Sequence, residues 1–212
     1  DSVDYNAGTN RYTENFNGRH SPILGWVSDG HPIYGPYGFS DPVDPDSPVR
    51  LLSSGYQKRD GSNGSTNLTR TGRTSLPDWA NRLQGRSTTL STNQYGPAVS
   101  TTYILGHYLE DYAYKGDLGL SQGVNFDLDE YNGRFCVTPE FPEGVWAYFT
   151  TISTDGTPVF PYNIGRNFYG TPNGGSVNAI PGNASLSFVG GPSAQHQATE
   201  VSKNGGVVTL TW

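Results

Sequence analysis

Apolar and aromatic positions along this chain fall in short runs, and none keeps a helical period long enough to anchor an α-fold. Residues 23–27 (ILGWV), 101–105 (TTYIL), 145–149 (VWAYF), 185–189 (SLSFV) and 207–212 (VVTLTW) are β-branched or aromatic. Each is about five residues long and bounded by turn residues, which is the signature of strands. Asp29-Gly30, Asn132-Gly133, Asp155-Gly156 and Asn204-Gly205 are turn dipeptides beside such runs. One short helix is predicted over 76–84: Ser75 can cap it, Pro77 and Asp78 suit its first turn, and Gly85 stops it. The pattern therefore predicts an all-β fold, a compact antiparallel sandwich or barrel-like domain with long loops and one short helix. Its core should contain Trp26, Ile33, Tyr34, Ile104, Phe126, Phe135, Trp146, Tyr148, Phe149 and Phe160.

Composition sharpens this picture. Hydrophobic residues make up 33% and aromatics 13%, so rings must supply much of the buried area. The 28 glycines and 15 prolines have no G-X-Y period and indicate many tight turns. A net charge of −6 argues against nucleic acid or an anionic membrane as a partner. No run approaches the 18 apolar residues of a membrane-spanning helix, and no signal-peptide pattern opens the chain. Beginning at Asp1 and lacking methionine, the sequence reads as a processed product or a piece of something longer. The single cysteine, Cys136, cannot form an internal disulfide and is expected to be a buried, inert thiol. Asn63-Gly-Ser, Asn67-Leu-Thr and Asn183-Ala-Ser fit the glycosylation sequon, as chance triplets in so Asn/Ser/Thr-rich a chain also would.

Three zones follow a short N-terminal lead (1–19). A β domain is expected over 20–170, with a polar insertion at about 53–100, and a Gly/Asn/Ser-rich extension over 171–212 that ends in a strand. The insertion is basic, net +4, whereas residues 107–145 are acidic, net −6. Solvated charge blocks are the ordinary explanation, and an insertion folded over the acidic segment is the alternative.

Candidate chemistry is sparse. His20 and His31 flank a predicted strand and turn with Asp29 between them, the residue types of a copper or zinc site, although two loop histidines are more often structural. Asp127, Asp129, Glu130 and Asn132 precede Gly133 in an echo of a calcium loop whose glycine is one residue late. Asp41, Asp44 and Asp46 lie in a Pro-punctuated stretch that could aim oxygens at calcium. The aromatic run 31–39 could stack against a sugar, with a buried turn segment the plainer reading. No nucleophile elbow, P-loop, dinucleotide fingerprint or HExxH is present. No cofactor is expected, and calcium is the one ion the carboxylates suit.

Three stretches carry a resemblance. Residues 20–38 (HSPILGWVSDGHPIYGPYG), 127–149 (DLDEYNGRFCVTPEFPEGVWAYF) and 158–165 (PVFPYNIG) together resemble the YHYH-domain family. That family comprises secreted bacterial proteins and structural proteins of tailed phages. Its name-giving Tyr-His-Tyr-His motif should lie just before His20, where this chain offers Tyr5, Tyr12 and Phe16, so no metal role tied to that motif carries over. The resemblance implies fold more than chemistry. With it, the expected function is a non-catalytic structural or adhesive β module of a larger virion fibre or secreted surface protein. Its partners would be other subunits or domains of the assembly, and surface glycans. A secreted metal-dependent enzyme using His20 and His31, or a carbohydrate-binding module, is the alternative.

Overall fold

A computed structural model describes residues 2–9, 11–172, 200–204 and 207–211. The chain divides into two compact units, residues 1–174 and 175–212. Of the second, the structure describes one antiparallel hairpin, β11 (Glu200–Asn204) with β12 (Val207–Thr211). The predicted strand 185–189, the sequon at Asn183 and His196 lie outside the described residues.

The first unit opens with a hairpin of β1 (Ser2–Asn6) and β2 (Arg11–Asn15), whose turn is held by the Asn6 carboxamide oxygen accepting from Gly8 and Thr9. Its largest sheet has four strands in the order β3 (Ile23–Trp26), β4 (Pro32–Tyr34), β10 (Val145–Phe149), β9 (Gly133–Cys136). Around it lie two small antiparallel ladders. They are β5 (Tyr37–Phe39) with β6 (Val49–Leu51), and β7 (Tyr56–Lys58) with β8 (Tyr112–Tyr114). The layers are sandwich-like and the sheet does not close into a barrel. The pairing of the strands is antiparallel except between β4 and β10, which run parallel, Ile33 opposite Tyr148 and Tyr34 opposite Phe149.

Two cores form. Tyr34, Leu52, Leu128, Cys136, Ala147 and Phe149 pack on one face of the four-stranded sheet. Tyr56, Leu76, Trp79, Ala80 and Phe160 form the second, between the β7–β8 ladder and helix α2 (Asp78–Gln84). Within it the Trp79 indole N–H donates to the Tyr112 carbonyl at 2.8 Å, and Phe160 stacks on Tyr112. Helix α2 starts after Pro77 and not at a Ser75 cap, because the Ser75 hydroxyl and carbonyl both accept from Arg59. Gly85 ends it in the left-handed region, as expected. A second helix, α1 (Leu68–Thr71), is capped by Asn67, so the expectation of a single helix is also corrected.

Four residues expected in the core are exposed: Trp26, Ile104, Phe135 and Trp146. Trp26 ends the edge strand β3, and the alternation of β9 and β10 turns Phe135 and Trp146 to the outer face. Residues 101–105 form no strand. The carbonyls of Tyr103 and Ile104, which a ladder would have used, instead accept from the Arg73 guanidinium. Tyr34, Phe126, Tyr148, Phe149 and Phe160 are buried as expected.

The basic insertion does pair with the acidic segment, against the solvated-block expectation. Buried Arg73 meets Asp111, Arg82 meets Asp117 and Glu130, and Arg86 meets Glu110. Charge complementarity legible in the sequence is thus part of the packing.

Candidate ligand-binding cleft

Successive residues of β10 point to opposite faces of the sheet. Ala147 and Phe149 enter the first core, while Trp146 and Tyr148 face outward beside Phe135 and Gly133 of β9. A segment near residue 169 lies over this outer face. The Tyr169 ring sits 4.8 Å from Trp146, 4.9 Å from Tyr148, 4.8 Å from Tyr131 and 5.8 Å from His31, centroid to centroid. Gly133 permits this approach, because any Cβ there would collide with the Ala147 carbonyl and the Tyr169 hydroxyl. Tyr148 is thereby fully buried, whereas Trp146 stays 45% and Phe135 43% exposed.

Hydrogen bonds lock the cover in place. The Tyr169 hydroxyl donates to Asp129 at 2.7 Å, and its backbone N–H donates to the Tyr148 hydroxyl at 2.8 Å. The Tyr148 hydroxyl donates in turn to Asp29 at 2.7 Å. Asp29 also accepts from the backbone of His31 and Gly170. Burial opposes the Asp29 anion, but these donors outweigh it and hold the carboxyl below its ordinary range. Asp129 differs. Burial pushes its carboxyl up to about 6, despite the donors Tyr169, Gly133 and Tyr131.

Along the free edge of β9 runs a cleft of about 330 Å³, with Ser40, Gln122, Asp127, Asp129 and Arg134 as its polar lining. Trp146 and Phe135, opposite each other across β10 and β9 with ring centroids 5.8 Å apart, supply its aromatic wall. Asp127 is 5% exposed and accepts a forked pair from Arg50 (2.6 and 2.8 Å) and two bonds from Ser53. Burial works against its charge, yet Arg50 and Ser53 hold its carboxyl below the ordinary range. Arg134 donates to the Phe39 carbonyl at 2.6 Å and lies over the Phe149 ring.

The sequence-predicted residues are thus distributed unevenly. His20 and His31 do not converge. The His20 ring packs on Tyr34, Phe39 and Phe149, the core-facing side of the sheet, and burial lowers its basicity. The His31 ring packs on Tyr148 and Tyr169, the outer side. Asp29 and Asp129 are joined through Tyr148 and Tyr169, and Asp127 and Asp129 share the cleft. Asn132 is fully buried in the left-handed region (φ 65°), which asparagine tolerates, and its amide N–H₂ donates to the carbonyls of Phe149 and Asn163. Asp41 and Asp44 accept from the backbone of Val43 and Asp46, fixing local turns. Among the described residues no group of three or more His, Cys, Asp or Glu is placed to hold a metal ion. Tyr169 and Gln122 escaped the sequence reading, since neither sits in a motif whose spacing marks it.

A family model described as YHYH protein matches residues 5–160. No curated protein and no solved structure matches the chain.

Proposed function

The chain belongs to the YHYH protein family, and on that premise we propose that it is a non-catalytic adhesive module that grips glycans in the β9 cleft. It would serve as one domain of a larger virion fibre or secreted surface protein, outside the cell or on the virion surface. The observation that carries this reading is the half-exposed pair Trp146 and Phe135 standing beside a polar-lined cleft. A sugar ring has an apolar C–H face and a hydroxyl rim, which suits an aromatic wall next to fixed hydrogen-bonding groups. A volume of about 330 Å³ is the scale of a mono- or disaccharide.

The polar groups favour binding over acid–base work. Asp127 already accepts four hydrogen bonds and Asp129 three, so both carboxylates are committed to holding the fold. Held in this way they form a preorganised surface, which reduces the ordering cost of binding.

A glycan array probed with the whole chain tests this reading, with the best hit then titrated by tryptophan fluorescence. The Trp146→Ala variant should weaken binding at least tenfold while leaving the thermal midpoint nearly unchanged. Binding to no glycan, or equal binding by the variant, would overturn the proposal.

A further inference from the structure

A second cavity, of about 360 Å³, lies where the 53–100 insertion meets residues 108–111. Three arginines line it, and their charges are unevenly answered. Arg73 is paired with Asp111, and Arg86 with Glu110. Arg59 is 3% exposed, and no carboxylate among the described residues forms an ion pair with it. Its guanidinium donates to three neutral acceptors: the Ser75 carbonyl at 2.9 Å, the Glu110 carbonyl at 3.1 Å and the Ser75 hydroxyl at 2.7 Å. Those bonds use three of the five N–H donors of the fork.

The cavity thus holds one cation more than its carboxylates neutralise. Burial opposes the Arg59 charge and outweighs Asp111 and Asp78, which favour it only through space, and an anion entering into direct contact would relieve that cost. Leu68, Leu76, Leu90 and Pro97 give the rest of the wall a mainly apolar character, with Tyr108 beside them and Ser75 and Gln94 as its neutral polar groups. We infer that this cavity binds a small monocarboxylate with an apolar body, its carboxylate on Arg59 and its body against the leucines. A planar carboxylate matches the guanidinium fork, and a single negative charge balances the single unanswered cation.

The site is independent of the β9 cleft, so the failure of one proposal leaves the other standing. The probes are sodium hexanoate and sodium benzoate, followed by calorimetry and thermal shift on the whole chain at constant ionic strength. Both should bind saturably and raise the thermal midpoint. Arg59→Met should weaken hexanoate about tenfold or more, the scale of a lost charged hydrogen bond. Should Arg59→Met not fold, Leu90→Trp fills the cavity from a half-buried position with every arginine retained, and it should abolish hexanoate binding. No saturation at millimolar hexanoate would overturn the inference. So would equal binding of hexanol, equal protection by chloride, tighter binding of phenyl phosphate than of benzoate, or unchanged binding by Leu90→Trp.

Discussion

Removing the charge of Asp111 should be among the most damaging single substitutions in the chain. This side chain is 1% exposed and accepts four donors: Arg73 Nε at 2.6 Å, Arg73 Nη2 at 2.8 Å, Gly106 N–H at 2.9 Å and Tyr108 N–H at 3.2 Å. Burial opposes its anion, but Arg73 and the two backbone donors outweigh that and hold its carboxyl below the ordinary range. In Asp111→Asn one acceptor oxygen remains for four donors, and the Arg73 cation, 8% exposed, loses its counter-ion. Two charged hydrogen bonds at ~1.5–3 kcal/mol each give about 3–6 kcal/mol, and breaking a buried pair independently gives about 3–5 kcal/mol. The carbonyls of Pro97, Tyr103 and Ile104 still accept from Arg73, which favours the lower end, about 3–4 kcal/mol. For a domain of this size that lowers the thermal midpoint by roughly 6–16 °C. Urea unfolding at pH 7, followed by tryptophan fluorescence, should show a lower midpoint with an unchanged slope. A cycle with Arg73→Met should reveal a coupling of about 2–3 kcal/mol. A loss below about 1 kcal/mol, no larger than expected of the exposed Arg82→Ala, would refute the argument.

Trp79→Ala should cost about 3–5 kcal/mol in the same assay, because the indole is fully buried, whereas Trp146→Ala should cost under about 1 kcal/mol. Asp129 binds its proton more tightly folded than unfolded, so its contribution is full below pH 4 and is lost as pH rises through about 6. Depressed His20 acts in the opposite sense, losing stability as pH falls through that window, so the informative quantity is the difference between wild type and Asp129→Asn. Unfolding measured from pH 4 to 7 should show that difference changing by on the order of 2 kcal/mol, and a constant difference would contradict the assignment. Gly133→Ala should destabilise by more than 2 kcal/mol and release the Tyr169 ring, seen as increased Trp146 accessibility to acrylamide, since no side chain fits beneath the Ala147 carbonyl.

Much of this was legible in the sequence. Strands at 23–26 and 145–149 and the helix at 78–84 follow from β-branched and aromatic runs and from Pro/Gly punctuation. The opposed charges of 53–100 and 107–145 were visible too, and folded into ion pairs. What periodicity could not supply was the use of each face. Trp146 and Tyr148 share one side of β10, yet only Tyr148 is buried, because a tyrosine twenty-one residues away in sequence covers it. The run at 101–105 has strand composition, but a distant arginine claims its carbonyls. His20 and His31 looked like neighbours, and a single strand separates their rings.

The parallel pairing of β4 with β10 also bears on how the protein can be made. Its two strands flank everything from residue 35 to residue 144, so during synthesis at ~5–20 residues per second β4 waits roughly 5–20 s for its partner. In that interval β3 and β4 form an isolated hairpin, which is marginal in water on its own, and Ile33 and Tyr34 remain uncovered. Tyr169 leaves the ribosome later still. The central sheet is therefore assembled almost entirely after its first half has been translated. A ribosome stalled before residue 145 would carry a nascent chain that a holding chaperone can bind and a protease can cut.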